Sequence, residues 1–322
     1  MYHPIKYCFD NFDNFYNVLQ TELEKGNIRR AVYNGLEQYT YTEDTIFNKN
    51  WTPHTLCCRG IILDPVAKRI VAIPFPKFFN LGECDTYLTN EELNSSVAYE
   101  KYDGSCIIMY YYNGKWNFNT KGSFQSDQAI AAANWMQPKI ATYENMLDTN
   151  VTYLFEWVGK DNRIVLTYPE EELILIGAFN NITFEDYDIE NIAWSNKTKV
   201  ATSKPITMDF LQEYVKNVTD HEGFVIKTPY KRVKIKTEWY IAAHKIVSDF
   251  SPRRVFEEVF IPTLQTSNPE IITSFQKSMP EEFEEDFLRY YNDFVNQYTL
   301  INENRLALAD SVNSWSDKEV GI

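Results

Sequence analysis

From about residue 29 to residue 240 the chain is written mostly in strand-length apolar runs separated by turns, and after Glu238 the pattern becomes helical. That change of period, from two to between three and four, predicts an α+β chain with a β-rich mixed domain over 1–245 and a small all-helical domain over 246–322. Before the strands, Phe12, Phe15, Tyr16, Leu19 and Leu23 repeat at helical spacing and Gly26 follows as a stop. Arg59–Asp64 and Arg69–Ile73 flank a turn at Pro65. Cys106–Tyr112, Asn113-Gly114 and Lys115–Thr120 read as a hairpin with a tight primed turn. Ser123–Met136 has the cap and Ala-rich face of a helix. Thr152–Val158, Arg163–Thr167 and Glu171–Phe179 read as strands, as do Gly223–Lys227 and Arg232–Thr237. Beyond them, Phe283, Phe287, Tyr291, Phe294 and Tyr298 form an aromatic stripe, most simply a helix face packed on the main domain.

With 44% hydrophobic and 16% aromatic residues, the chain has enough apolar material for packed cores, which excludes a disordered scaffold. No apolar run reaches membrane-spanning length, and the first residues lack the basic-then-apolar pattern of a signal peptide. Five cysteines, odd in number and without CxxC spacing, fit neither a disulfide framework nor a zinc site. The expectation is a reduced, cytoplasmic protein without a membrane partner.

Forty-five acids against 31 bases give a net charge of −14, which argues against a generic nucleic-acid coat. The charge is uneven. Residues 246–322 carry 14 acids and 6 bases, whereas Lys227–Lys236 holds five bases and no acid. On the second strand of that strip, Arg232, Lys234 and Lys236 share one face while Val233 and Ile235 point to the core. Three cations on one face suit a polyphosphate or a nucleic-acid backbone; alone, they equally suit a solvated edge strand. Glu222 stands at the mouth of the preceding strand, before Gly223. Glu156 interrupts the apolar Thr152–Val158 run, where it must be paired, protonated or at a site. Lys101, placed before a strand and followed by Asp103 and Gly104, has the setting of a nucleophile or of an ordinary exposed lysine.

Their order along the chain is more specific than any one of them. Lys101-x-Asp103-Gly104, then Glu156, Glu222-Gly223 and Lys234-x-Lys236, resembles the covalent nucleotidyltransferases. Cys58-Arg59-Gly60-Ile61-Ile62, Lys77-Phe78-Phe79-Asn80, Lys121-Gly122-Ser123, Asn162–Leu166 and Trp239-Tyr240 make the resemblance closer to the phage-type ATP-dependent RNA ligase 1 family, over roughly residues 30–245.

The resemblance implies a nucleotidyltransferase (adenylyltransferase) fold, with antiparallel sheets flanked by helices. It also implies ATP as co-substrate, Mg²⁺ or Mn²⁺ as cofactor, and RNA with 5′-phosphate and 3′-hydroxyl ends as partner, acted on by a monomer in a host cytoplasm. Lys101 matches the lysine that takes AMP. Lys234 and Lys236 match the pair on the α-phosphate. Arg59, Lys77 and Lys121 match bases that hold the nucleotide, and Glu156 and Glu222 match acids that engage ribose or metal. Asp103 is expected as a further catalytic or metal-holding acid, Tyr39 as a pocket tyrosine and Phe179 as the aromatic that covers adenine. A DNA ligase or capping enzyme shares the core motifs but normally appends a β-barrel, for which no strand pattern follows Lys236. A non-catalytic RNA-end-binding relative would be expected to lose Lys101, Lys234 or Lys236, and all three are present.

Overall fold

The computed structural model describes residues 3–201, 206–278 and 284–313. The chain divides into two compact units, Met1–Ile241 and Ala242–Ile322.

Three antiparallel sheets build the first unit. β1 (Ile28–Tyr33), β2 (Leu36–Tyr41), β3 (Arg59–Asp64) and β4 (Arg69–Ala72) pair in sequence order. β5 (Val97–Lys101) lies at one edge of a second sheet, beside β10 (Gly223–Lys227), with β11 (Arg232–Lys236) beyond. The third runs β7-β6-β8-β9, from β6 (Ser105–Tyr112), β7 (Lys115–Thr120), β8 (Val151–Val158) and β9 (Glu172–Asn180). Asn113 and Gly114 have φ of 51° and 77°, the two positive values of the primed hairpin turn that Asn-Gly predicts.

The helix Phe12–Glu24, capped by Asn11, buries Phe15 and Leu19 in a core with Ile61, Ile62 and Leu154. The other face of β8 carries Tyr153, Phe155 and Trp157 into a second core, with Ala132 and Met136 of the helix Asp127–Met136. That helix starts at Asp127 because the Ser126 side chain accepts from the Ala129 amide. Under the three-stranded sheet, Leu211 of the helix Met208–Asn217 packs on Phe224, Ile226 and Ile235, which leaves the opposite face for the site.

One local expectation changes. Arg163–Thr167 is not a strand: the Val165 and Leu166 amides are taken by the Asp103 carboxylate instead of a neighbouring strand. Lys101 precedes a strand, β6, as expected, and it also ends one, β5.

In the second unit, Val255, Val259 and Phe287 are fully buried, with Phe275, Tyr291 and Phe294 around them. Among the stripe residues, Phe287, Tyr291, Phe294 and Tyr298 lie on the helix Glu284–Asn313 and find ring partners, Phe256, Phe260 and Phe275, within this same unit. The stripe thus forms this unit's own core, where packing on the main domain was expected. Phe283 lies outside the described residues. No helix among the described residues is long and apolar enough to cross a membrane.

Candidate active site

The register of the three-stranded sheet aligns motifs that are far apart in sequence. Gly223 pairs with Lys101 on one side and Lys236 on the other, and one step along, Val225 pairs with Tyr99 and Lys234. Facing side chains therefore come in rows, Lys101 with Lys236 and Tyr99 with Lys234. Gly223 has φ of 142°, and a Cβ there would collide with the Ile235 carbonyl oxygen, so only glycine lets the strands close at this row.

Above the sheet is a cavity of about 520 Å³, lined among others by Arg59, Lys101, Lys121, Glu156, Lys234 and Lys236. Gly60 brings Arg59 and Lys121 together: with φ of 103°, its missing Cβ would sit 3.0 Å from the Lys121 Cα. Lys77 approaches from outside the lining, with Nζ 3.6 Å from Glu83. Phe78 and Ile176 give the cavity apolar wall.

Glu222, 2% exposed, bridges the first row. Its Oε2 accepts from Lys101 Nζ at 2.8 Å, and its Oε1 makes an ion pair with Lys236 Nζ at 3.1 Å. Burial acts to lower the Lys101 pKa, but the Glu222, Glu156 and Asp103 charges outweigh it, and the ammonium is held above its ordinary value. Lys234 goes the other way. Burial, then the Lys77, Arg59 and Lys101 charges, lower it to about 7, and no carboxylate among the described residues lies within ion-pair distance. The cavity thus concentrates positive charge that its own acids leave uncompensated, which is an environment for a polyanion.

Glu156 lies on β8 opposite Cys106 and Ile174. Its Oε1 accepts from the Gly104 amide at 3.2 Å, and burial raises its pKa to about 7, against the pull of Lys101. The described residues contain no group of three or more His, Cys, Asp or Glu side chains able to hold a metal. A protein cage for a bare ion is therefore not present among them. One carboxylate beside a cluster of cations is compatible with Mg²⁺ or Mn²⁺, which keep waters and bind through phosphate oxygens; of the acids lining the cavity, Glu156 would be the one to hold such an ion.

Three expected site residues lie elsewhere. Asp103 is a scaffold acid: its Oδ2 accepts from the Val165 and Leu166 amides, both at 2.7 Å, and its Oδ1 from Tyr240 Oη at 2.6 Å. Those bonds, in a residue 2% exposed, hold the turn after Lys101 to the 163–166 loop and to the helix Glu238–Asp249, and Asp103 is not part of the cavity lining. Tyr39 is wholly buried in β2, donating to Glu37 and accepting from Gln20. Phe179 is wholly buried between Phe75 and His3, roughly 17 Å along β9 from Ile174, the partner of Glu156. The cavity residue of β9 is Ile176.

Arg232 does share the face with Lys234, but it is not a free phosphate ligand. Its Nη2 donates to both carboxylate oxygens of Asp186, at 2.8 and 2.9 Å, and Lys227 Nζ lies 3.1 Å from the same fully buried carboxylate. Sequence reasoning assigned no role to Asp186, Tyr240, Tyr168 or Cys106. Tyr168 Oη accepts from the Asp103 amide, and burial holds the Cys106 thiol at about 11, a neutral wall of the cavity. For Tyr240 the available signal was its place three residues after Thr237, whose hydroxyl accepts from the Tyr240 amide and turns the chain into the helix.

The family model described as RNA ligase, that of the phage-type RNA ligase 1 proteins, matches residues 57–240. A protein of Autographa californica nuclear polyhedrosis virus, named "Putative bifunctional polynucleotide kinase/RNA ligase", is 29% identical over 225 residues, 60% of this chain and 31% of that protein. An RNA ligase of Rhodothermus phage RM378 is 25% identical over 79% of this chain and 74% of its own length. The chain thus spans under a third of the first relative and about three quarters of the second. Among solved structures, one titled "Putative ATP-dependent DNA ligase from Aquifex aeolicus" aligns over 94% of this chain and 88% of its own, with a TM-score of 0.51 at 15% identity. An archaeal ATP-dependent RNA ligase aligns over 86% and 75%, with a TM-score of 0.50 at 15% identity. Both likenesses bear on the fold, which is the nucleotidyltransferase fold of antiparallel sheets and helices. With Lys101, Gly223, Lys234 and Lys236 on one sheet, Glu156 and Arg59 brought to the same cavity from the other two, and the family model covering more than half its length, the chain belongs to the RNA ligase family.

Proposed function

We propose that the chain is an ATP-dependent RNA ligase that joins 5′-phosphate and 3′-hydroxyl RNA ends through a lysyl-AMP and an RNA-adenylate, in RNA repair in a host cytoplasm. The observation that carries the proposal is the row Lys101–Gly223–Lys236, bridged by Glu222, beside the charge-crowded Lys234. ATP would lie with its α-phosphate over this row. The Lys101 nitrogen attacks the α-phosphorus, the bond to the pyrophosphate oxygen breaks, and a phosphoramide forms. AMP then passes to the RNA 5′-phosphate, and the RNA 3′-hydroxyl displaces it.

Chemistry of this kind asks the protein for position and charge rather than for covalent assistance beyond the lysine. Lys236 and Lys234 supply cations to the α-phosphate; Arg59, Lys77 and Lys121 supply them to the remaining phosphates. Lys101 begins as an ammonium and must lose its proton first. Glu222 is the base in contact with it. A hydrated divalent cation at Glu156 would neutralise phosphate charge and weaken the acidic field that keeps Lys101 protonated.

Incubation of the protein with ATP and Mg²⁺, followed by intact mass measurement, tests the reading. The wild type is expected to gain one AMP through an acid-labile, base-stable bond at Lys101, and Lys101→Ala to gain none. A normal gain in Lys101→Ala would sink the assignment. Comparison of RNA and DNA ends then separates this reading from that of a DNA ligase.

A further inference from the structure

Two rings beside the cavity, Trp51 and Phe79, belong to none of the steps above, although the lysines at either end of them, Lys121 and Lys77, also serve the ATP phosphates. Lys121, which lines the cavity, places its Nζ 5.3 Å from the centre of the Tyr41 ring. Tyr41 meets Trp51 edge-on with centroids 5.2 Å apart, and Trp51 meets Phe79 in the same way at 5.5 Å. Lys77 closes the series, with Nζ 4.9 Å from the Phe79 centroid and 5.6 Å from that of Trp51. On the Lys121 side, a Cβ built on Gly122 would lie 3.1 Å from the guanidinium of Arg29, an exposed residue of β1. Trp51 and Phe79 are partly open to solvent, and neither lines the cavity.

A lysine seated on a ring is oriented by the ring's quadrupole, so Lys77 and Lys121 hold their ammonium groups at the two ends of an aromatic surface. Open rings flanked by cations suit a single nucleic-acid strand, whose bases stack on rings while its phosphates meet the cations. In a chain of net charge −14, such a cluster attracts a polyanion locally without coating the protein in one. ATP is accommodated by the cavity itself; the ladder begins where the cavity ends.

We propose that Trp51 and Phe79, flanked by Lys77 and Lys121, form the docking surface for the terminal nucleotides of the single-stranded RNA being joined, with Trp51 as the principal stacking platform. This rests on the ligase reading, because an RNA end must approach the mouth of the cavity to reach a lysyl-AMP. The alternative is that Trp51 only caps the hydrophobic edge of the sheet. Leucine can replace a cap but offers no aromatic face, and phenylalanine keeps the face.

The test uses the full chain as wild type, Trp51→Leu and Trp51→Phe, with a short fluorescent 5′-phosphorylated oligoribonucleotide in the absence of ATP. Loss of one stacked base is expected to raise the Kd for RNA roughly tenfold in Trp51→Leu and much less in Trp51→Phe. The rate of AMP attachment to Lys101 should be the same in all three. An unchanged RNA Kd in Trp51→Leu overturns the proposal. So does loss of AMP attachment in a folded Trp51→Leu, which would assign the ring to the ATP site. Should Trp51→Leu not fold, photocrosslinking of wild type to RNA with a terminal 4-thiouridine decides. Adducts on the peptides holding Trp51 or Phe79 support the surface, and adducts confined to other peptides overturn it. A wild type that takes no AMP would defeat the ligase reading separately, because RNA affinity and crosslinking are read without ATP.

Discussion

Glu222 accepts a hydrogen bond from the Lys101 ammonium at 2.8 Å, so the expected nucleophile rests in its unreactive protonated form. The pairing positions the nitrogen and delays it at once. The rate of AMP attachment should therefore rise with pH as Lys101 loses its proton. In Glu222→Gln the carboxylate charge that helps hold the proton is gone, so the rise should begin at lower pH. Its plateau should be lower, because Lys101 and Lys236 lose their common anchor. Single-turnover mass gain across a pH series measures both effects. A rise displaced to higher pH in Glu222→Gln would contradict the role given to this carboxylate.

Lys234 makes a complementary prediction. Burial and then the Lys77, Arg59 and Lys101 charges bring it to about 7, so it is part neutral at neutral pH in the free protein. A bound polyphosphate favours its charged form and raises its pKa. Binding therefore takes up a proton above pH 7, and affinity should fall as pH rises from 7 towards 9. Lys234→Ala should bind ATP more weakly with a flatter pH dependence over that range, and attach AMP on the order of a hundredfold more slowly. Calorimetric titration with ATP in buffers of different ionisation enthalpy counts the proton directly. No proton uptake in the wild type would remove the basis for this account.

How much of this was readable beforehand follows strand parity. Lys234, Lys236 and Glu222 were legible because period-two alternation and a glycine at a strand mouth are local signals. Arg232 obeyed the same parity, yet its partner Asp186 lies far back in the chain, and no local pattern reports that ion pair. Asp103 looked chemical because it stands two residues from Lys101. Its real partners, Val165, Leu166 and Tyr240, are joined to it only by the tertiary fold. Tyr39 and Phe179 show the converse error: strand aromatics are most often core, and burial is set by which face the neighbouring sheet covers.

The scaffold role of Asp103 has its own test. Asp103→Asn would turn an amide towards donors that now meet a carboxylate, leaving at least one buried N–H unsatisfied. The cost is on the order of 1–3 kcal/mol, read as a lower midpoint of urea unfolding. Tyr240→Phe, which removes one bond to the same carboxylate, should lower it by a similar or smaller amount. If Asp103→Asn is as stable as wild type while AMP attachment disappears, the residue acts in the chemistry and not in the frame.

Glu156 links the site to stability. Its folded pKa is about 7, above an unfolded value near 4.5, and burial is the main cause. A raised folded pKa means stability that is full below the unfolded value and is lost as pH rises through the folded one. The wild type should therefore lose on the order of 3 kcal/mol at most between about pH 4.5 and pH 7 from this group. Glu156→Gln, which does not titrate, should lack that loss and be relatively more stable at pH 8 than at pH 5. Parallel stability curves for the two proteins would show that the carboxyl is not strained in this way.

The second unit should select RNA rather than build the active site. The cavity-lining residues all precede Ala242, as do Glu222, Asp103 and Tyr240. The second unit has a buried centre of its own at Val255, Val259 and Phe287. Residues 246–322 also carry 14 acids against 6 bases, which repels a generic phosphate backbone and suits recognition of RNA shape or of a partner. A chain ending after Ser251 keeps the helix Glu238–Asp249 and with it the Tyr240 bond to Asp103. Its folding must be checked first by cooperative unfolding. In a folded truncation, AMP attachment to Lys101 is expected at near the wild-type rate. Joining of a nicked tRNA stem-loop should fall more than joining of unstructured single strands. Equal losses on both RNAs would make the unit a general support. Loss of AMP attachment from a folded truncation would give it a direct part in ATP chemistry and end this division of labour.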